Sequence, residues 1–242
     1  MHNQSTTQAP PRRGGVEWRN LNWSVITAIA AVHLIAFGAV FPALFSWSGL
    51  IIMFVLMWLS GGVGVVLCYH RLLTHRSFRT PKWFEYVLTA CGCLAWQGGP
   101  AEWVGVHRLH HKFSDTDHDP HSPNHGFTWS HILWTLHRKI EGIEGKDAAK
   151  DLLRDPVIRR MDRWFWVPQL VVTAGLLAGG WAIGGAWLGL SWVVWGVGLR
   201  TVIVFHATWF VNSAAHTWGY QNYETGEHST NLWWVALLTF GE

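Results

Sequence analysis

The chain has 242 residues, of which 50% are hydrophobic and 14% charged, and its formal net charge is +3. So small a positive charge gives no reason to expect a nucleic acid partner. Every Lys and Arg except Arg200 lies within residues 12–19 or 71–163. The uncharged remainder forms apolar runs longer than a soluble core helix needs, which excludes an ordinary soluble domain.

Four of these runs are long enough to cross a membrane. A hydrocarbon layer of roughly 30 Å takes about 20 apolar residues in a helix. We therefore predict an all-α, polytopic membrane protein with four transmembrane helices. The predicted helices are residues 21–45 and 49–69, forming one pair (21–69), and residues 164–188 and 189–211, forming a second pair (164–211).

The distribution of basic residues predicts the orientation. Segments rich in Lys and Arg stay on the cytoplasmic side, so we expect the tail 1–20, the segment 70–163 and the segment 212–242 to face the cytoplasm. The tail lacks the short apolar core of a signal peptide. Within the middle segment, residues 83–97 are apolar but too short to cross and are interrupted by Glu85, which predicts an interfacial helix. The fold is thus four helices under a cytoplasmic, His-rich helical cap.

Cysteine chemistry contributes little to the predicted function. The three cysteines, Cys68, Cys91 and Cys93, form no CxxC pair and no even set for a disulfide framework. Free cysteine is among the most buried residue types. We therefore expect three buried thiols that act as small apolar side chains.

Histidine is the unusual residue type, with 15 in the chain and eight of them between His107 and His137. Two clusters read His70-Arg-Leu-Leu-Thr-His75 and His107-Arg-Leu-His110-His111. Positions 107, 110 and 111 share one face of a helix. Positions 70 and 75 lie about 140° apart on an ideal helix, so a bend or a helix end must bring them together. Neutral imidazole is a good ligand for Fe, Zn, Cu and Ni.

The predicted topology brings separated histidines to one surface. His70 leaves the second span, and His216 follows the fourth, both on the side that carries residues 107–111. These pieces of chain can therefore form one metal site. The nearby carboxylates of Asp115 and Asp119 are placed to accept the second N–H of ligand imidazoles and so fix their orientation. His121, beside them, is expected in the same supporting role.

Other metal chemistries do not fit the spacing. The sequence has no His-Glu-x-x-His motif of a zinc protease and no Glu-x-x-His motif of a soluble di-iron carboxylate protein. A bis-His haem would use His33 and His206, which leaves both clusters unexplained. For these two, a hydrogen-bonded packing role is favoured over a functional one. A metal transporter would carry its ionisable groups along the spans rather than outside them.

The motifs resemble those of the integral-membrane fatty acyl desaturases, most closely the delta-9 (stearoyl-type) acyl-CoA and acyl-lipid branch in bacteria and cyanobacteria. The similarity begins near Trp23 and rests on the two clusters above and two further segments, Asp119-Pro-His-Ser-Pro-Asn-His-Gly-Phe-Thr-Trp-Ser-His131 and Asn212-Ser-Ala-Ala-His216. It implies a centre of two iron ions held by histidine, with O2 as co-substrate, that introduces a cis double bond into an acyl chain. The residues that match metal ligands are His70, His75, His107, His110, His111 and His216.

The resemblance also implies supporting residues. Asn212 matches a residue that approaches the metal through water. Candidates for the wall of an acyl tunnel are Gln97, Trp103 and Trp209. A lipid headgroup or CoA phosphates would suit the basic residues at the membrane edge, namely Arg71, Arg76, Arg79 and Lys82.

In the family the sequence continues past Phe240-Gly-Glu242 into a third cluster with three further ligands. No other segment of this chain has that pattern, so we expect these 242 residues alone to bind metal poorly and to turn over little substrate. The expected substrate is a fatty acyl-CoA or an acyl-lipid, and the expected electron donor is a ferredoxin or a cytochrome b5. A related membrane di-iron hydroxylase and a catalytically inactive truncated homologue remain the alternatives.

Overall fold

The computed structural model describes residues 16–138 and 145–241. Within these residues all regular structure is helical, and the only bridge pairings are two isolated ones. The all-α prediction is therefore confirmed, while most of the predicted tail 1–20 lies outside the described residues. The α-helices are α1 (Trp23–Phe37), α2 (Trp47–Met57), α3 (Lys82–Cys93), α4 (Pro100–Phe113), α5 (Trp134–Leu136), α6 (Gly145–Ala148), α7 (Lys150–Leu153), α8 (Pro156–Arg163), α9 (Val167–Val193), α10 (Arg200–Ser213) and α11 (Trp233–Leu238).

Three helical stretches are long and apolar enough to cross a membrane: Trp23–Val40, Trp47–Thr74 and Val167–His216. The first two fall within or overlap the predicted spans 21–45 and 49–69. The boundary between them lies at Ser46, whose Oγ accepts a hydrogen bond from the Gly49 backbone N–H at 3.0 Å and so caps α2. The second stretch continues further than predicted, past His70 to Thr74.

The third stretch contains 50 residues and is interrupted. Gly184 (φ −142°, ψ 20°) and Gly185 (φ 78°, ψ −176°) leave the helical conformation inside α9. The positive φ of Gly185 is one that glycine adopts without steric cost. On either side of the break the two arms approach so closely that a Cβ on Gly180 would lie 2.6 Å from Gly189 Cα. The break at Gly184–Gly185 lies before the boundary predicted between residues 188 and 189.

Two helices that follow α4 in sequence, α6 and α8, contact this His-rich helix. Asp162 of α8 is buried, and its Oδ1 accepts hydrogen bonds from the backbone N–H groups of Ala101 (3.0 Å) and Glu102 (3.2 Å). This carboxylate satisfies backbone donors in the first turn of α4 and complements the positive end of the helix dipole. At Gly105 a Cβ would lie 1.7 Å from the carbonyl oxygen of Gly145, so α6 packs directly against the α4 backbone.

The cysteines are free, as predicted, with Cys68 and Cys93 buried and Cys91 half-buried. Cys68 belongs to an apolar core, with Tyr69 and Leu72, that packs the end of the second stretch against α3 and α4. The predicted interfacial helix 83–97 corresponds to α3, which ends at Cys93 and leaves the Trp83 side chain 68% exposed.

Arg200, the one Lys or Arg within the stretch Val167–His216, is fully buried. Its guanidinium donates to the carbonyl oxygens of Leu94 (2.6 Å) and Gly196 (3.0 Å) and to Gln169 Oε1 (2.8 Å). These acceptors come from α9, from the π-helix that precedes α10 and from the end of α3. Arg200 therefore joins separate parts of the chain through neutral acceptors.

Candidate metal centre

The first histidine cluster lies on a widened helix. From Trp58 to Thr74 the second stretch is a π-helix, with hydrogen bonds between residues i and i+5. The last of these bonds runs from the His75 backbone N–H to the His70 carbonyl at 3.0 Å. It stacks residue 75 over residue 70, and the two imidazole centroids lie 4.6 Å apart. The convergence that an ideal α-helix would not provide is thus achieved by the π-helical end.

The second cluster lies on α4 and meets the first. His107 and His111 are one turn apart, with their Nε2 atoms at 3.1 Å, and the His107 ring lies 4.8 Å from the ring of His70. The ligand nitrogens of His70, His75, His107 and His111 all lie within 4.8 Å of one another, and we call this set the four-histidine cluster. It draws two residues from each of two helices.

Neutral imidazole is the favoured state on the α4 side of this cluster. Burial, and then the neighbouring His111 and His70, hold the pKa of His107 well below its usual value. Burial and the nearby His110 and His75 lower the pKa of His111 to about 4. Both rings therefore keep a lone pair at neutral pH, as metal binding requires.

His110, the third histidine of α4, belongs to a separate buried group with Asp119 and His121. His110 Nδ1–H donates to Asp119 Oδ2 at 2.9 Å, which leaves Nε2 as the ligand atom. Asp119 Oδ1 also accepts the backbone N–H of His121 at 3.1 Å. Burial would raise the pKa of Asp119, but His121 and His110 lower it to about 2. This carboxylate is therefore ionised and fixes the His110 ring.

His216 has the same kind of support in a third group, with Asp115 and Glu227. His216 Nδ1–H donates to Asp115 Oδ1 at 2.9 Å. Asp115 Oδ2 accepts the backbone N–H of His228, so one carboxylate joins the end of α10 to the loop after it. Asp115 has a φ of 60°, a left-handed conformation that Asp tolerates better than most residues.

The three groups are adjacent. The His110 ring centroid lies 5.4 Å from that of His216 and 5.6 Å from that of His111. The six predicted ligands therefore meet at one place, although the structure divides them among three groups rather than one. Glu227 was not expected from the sequence, since a single carboxylate in a polar loop carries no motif.

The donor chemistry fits transition-metal ions. Four imidazoles from two rigid helices offer neutral nitrogen ligands, which suit iron, zinc or copper. His110 and His216 each carry a carboxylate on the nitrogen that points away, an arrangement that orients metal-bound histidine. The described residues at this place can therefore hold metal ions of that class.

The other predicted site residues lie around the histidines. Trp103 stacks on His107, with ring centroids 5.0 Å apart. Its Nε1–H donates to Gln97 Oε1 at 3.1 Å, and Gln97 Nε2 donates to Thr208 Oγ1 at 2.9 Å. Gln97 and Trp103 thus connect α10 to the ring of His107. Asn212 is half-buried on α10, four residues before His216.

Two basic residues proposed for a headgroup have protein partners. Arg71 donates to the Gly241 carbonyl at 3.2 Å, and Arg76 pairs with Asp151 at 2.7 Å. Both side chains remain exposed at the surface.

A second set of histidines joins two apolar helices to the short π-helix Trp129–Leu133. We call it the intramembrane histidine chain after His33 and His206, which lie in apolar stretches; its third member, His131, lies outside them. His33 Nε2 lies 3.3 Å from His206 Nε2, and His131 Nε2 lies 3.0 Å from His206 Nδ1. The direct contact between His33 and His206 leaves no space for a haem plane between them. Trp209, the third candidate for a tunnel wall, is buried against the rings of His206 and His131.

Comparison with known proteins agrees with the chemistry of these groups. Residues 46–242 match the family model described as fatty acid desaturase. The chain is 47% identical to the sn-1 stearoyl-lipid 9-desaturase of Anabaena variabilis over 92% of its own length and 79% of that protein. It is 45% identical to the protein of the same name from Synechocystis sp. (91% and 67%) and 42% identical to the sn-2 palmitoyl-lipid 9-desaturase of a Nostoc species (96% and 79%).

Proposed function

The chain belongs to the fatty acid desaturase family, and from this premise we propose that it introduces a cis double bond at the delta-9 position of saturated acyl chains esterified in lipids. As an oxidoreductase of this family it acts on a lipid substrate. The observation that carries the proposal is the meeting of histidines from two helices in the four-histidine cluster, with His110 and His216 beside it. The names of the cyanobacterial relatives support the position of the double bond and the lipid-linked substrate.

The proposed cofactor is a pair of iron ions. His70, His75, His107 and His111 would hold one side of the centre, and His110 and His216 the other. When bound, the irons would activate O2, so that two hydrogens leave adjacent acyl carbons and, with two electrons and two protons, two waters form. Asp119 and Asp115 keep the Nδ1 protons of His110 and His216 in place, which would leave the Nε2 lone pair of each ring available to a metal ion.

The proposed topology has four crossings, with the break at Gly184–Gly185 dividing the third apolar stretch into two antiparallel spans. Two observations support it: the non-helical backbone at the break and the close approach of Gly180 to Gly189. An even number of crossings puts His70 and His216 at the same membrane face, where the ring contacts to His110 need them. The positive-inside pattern favours the cytoplasmic face.

An apolar cleft marks where the acyl chain would approach the metal centre, and with a volume of about 20 Å³ it would have to widen to admit the chain. The cleft lies between the π-helix, α10 and the segment after α11, and its lining includes Gly61, Val65, Ala207, Thr208 and Phe240. Thr208 also accepts the hydrogen bond from Gln97, whose partner Trp103 stacks on His107. The cleft wall and the metal ligand are thus linked by three side chains, which supports roles for Gln97 and Trp103 in substrate binding. Trp209, packed on the intramembrane histidine chain, lies further along the same helix.

The electron donor is proposed to be a ferredoxin or a cytochrome b5.

Expression of the complete gene product in a host without delta-9 desaturation tests the proposal. The membrane lipids would be hydrolysed and the position of each double bond determined by mass spectrometry, with ferredoxin or cytochrome b5 supplied in parallel cultures. We expect cis-9 monoenes, and their loss in His107→Ala. Hydroxylated chains would instead indicate the related hydroxylase, and unchanged saturated lipids with both donors would contradict the proposal. Supply of labelled acyl-CoA against labelled glycerolipid to isolated membranes distinguishes the two substrate classes.

A further inference from the structure

Asp151 of α7 forms ion pairs with two arginines, Arg76 and Arg108, beside the four-histidine cluster. Its Oδ1 accepts from Arg108 Nη1 at 2.6 Å, and its Oδ2 accepts from Arg108 Nη2 at 3.2 Å. The same Oδ2 accepts from Arg76 Nη2 at 2.7 Å. One carboxylate thus binds two guanidinium groups, one of them in the bidentate geometry that gives the strongest such pairs.

The two arginines belong to the two halves of the cluster. Arg76 follows His75 at the end of the π-helix, and Arg108 follows His107 on α4. Asp151 is a ligand of neither half, yet it connects the residue next to a histidine in each. It lies 40 or more residues from both in sequence, in the segment 138–163, where basic and acidic residues are mixed.

Arg108 strengthens the same connection directly. Its Nη2 donates to the Leu73 carbonyl at 2.9 Å, between the two histidines of the π-helix, and its Nη1 donates to the Ala148 carbonyl at 3.0 Å. The carbonyl of Leu73 lies near the C-terminal end of its helix, where backbone acceptors need outside donors. Arg108 therefore reaches from α4 to the π-helix, and Asp151 fixes its guanidinium plane.

The backbone conformation at Arg76 gives the Arg76–Asp151 ion pair a second role. Arg76 has a φ of 51°, in the left-handed region that is strained for a non-glycine residue. The chain turns sharply there, directly after His75. The ion pair to Asp151 is a contact that holds the turn and with it the position of the His75 ring.

The pair is partly withdrawn from water. The Arg108 side chain is 22% exposed and that of Asp151 is 35% exposed. Although burial alone would raise it, the pKa of Asp151 is lowered by the hydrogen bond and charge of Arg108 and by Arg76. The carboxylate is therefore ionised at neutral pH, while the Arg76 side chain that it also binds is 68% exposed.

We propose that Asp151 is a positioning residue that sets the distance between the two halves of the four-histidine cluster by binding Arg76 and Arg108 together. This proposal rests on the metal centre of the proposed function. Because the effect passes through the arginines, Asp151 touches neither metal nor substrate.

The test is a metal titration of the purified protein in detergent, made with Co2+, whose visible absorption reports imidazole coordination. The variants are Asp151→Asn, which keeps the shape and removes the charge, and Asp151→Glu, which keeps the charge. Asp147→Asn is the matched control, because Asp147 lies four residues away, is 60% exposed and pairs with Lys150 alone among the recorded ion pairs. The melting temperature of each metal-free variant is measured in parallel.

We expect Asp151→Asn to bind Co2+ about tenfold more weakly, at the lower end of the effect of residues that orient metal ligands. Asp151→Glu should recover part of that loss, and the metal-free melting temperature should match that of Asp147→Asn. Equal Co2+ affinity in Asp151→Asn and wild type would overturn the proposal, and so would a lowered melting temperature with unchanged affinity. Failure of the wild-type protein to bind Co2+ would instead contradict the metal centre itself.

Discussion

Two groups of histidines occupy this protein, and they differ in where their nitrogens point. In the four-histidine cluster, nitrogens from two helices converge within 4.8 Å of one another. In the intramembrane histidine chain the rings follow one another in a line. His33 Nδ1 donates to the Ile29 carbonyl at 2.8 Å, so its Nε2 must accept from His206, and His206 Nδ1 must then accept from His131.

The difference separates ligand sets from structural hydrogen bonding. A converging set leaves lone pairs directed at one point, which is what a metal ion needs. A linear set uses the nitrogens of His33 and His206 on neighbouring protein atoms. Histidine content alone would rank the two groups equally, and only the directions of the nitrogens distinguish them.

The largest expected effect comes from removing one converging histidine. His107→Ala should abolish detectable desaturation and most of the bound iron, because His107 contacts the three other members of the cluster. Iron is measured by plasma mass spectrometry on purified protein, and product by lipid analysis. His118→Ala, which removes an exposed histidine of the following loop, should keep both. Iron retained at wild-type level in His107→Ala would contradict the assignment of the cluster.

The second-largest effect should come from removing a carboxylate that supports a ligand histidine. Asp119→Asn keeps the size of the side chain but replaces an ionised acceptor that holds His110, so we expect metal affinity to fall about 10- to 100-fold. Asp117→Asn, two residues away and exposed, is the control. The measurement is a Co2+ titration followed by visible absorption. Equal affinities in the two variants would show that the His110–Asp119 hydrogen bond does not tune the metal.

Much of this arrangement could be predicted from the sequence. The apolar runs and the face shared by positions 107, 110 and 111 follow from composition and periodicity, which are local properties. The grouping of the histidines does not. The meeting of His70 with His75 depends on a π-helix, and the π-helix depends on packing against α3 and α4 rather than on any local motif.

The contacts between residues that are distant in sequence could not be predicted from the sequence either. Asp151 and Asp162 lie in a segment of alternating charge, where most side chains are solvated, and nothing local marks the two that bind the His-rich helix. Likewise His33 and His206 are each isolated in an apolar run. Their contact depends on how α1 packs against α10, which the composition of either helix leaves open.

Substitution of Arg200 should lower the stability of the protein, and the size of this effect should be intermediate among those predicted here. Arg200→Leu leaves the acceptors of Leu94 and Gln169 without their donor, and each unsatisfied buried group costs about 1–3 kcal/mol. We expect a clear fall in the melting temperature in detergent, with normal iron content in the protein that stays folded. Arg159→Leu, at an exposed position of α8, is the control. Loss of iron without loss of stability would place Arg200 with the metal centre instead.

The smallest effect should come from the intramembrane histidine chain itself. Hydrogen bonds between membrane helices contribute about 0.6 kcal/mol on average, so His206→Phe and His33→Leu should each lower the melting temperature by a few degrees or less. In a double-mutant cycle the coupling between the two should be of the same order, because each loses the same hydrogen bond. Iron content and desaturation should remain, since neither nitrogen is directed at the four-histidine cluster. If His206→Phe loses iron as His107→Ala does, a linear arrangement of rings no longer distinguishes structural histidines from ligands, and the chain would have to be counted with the metal centre.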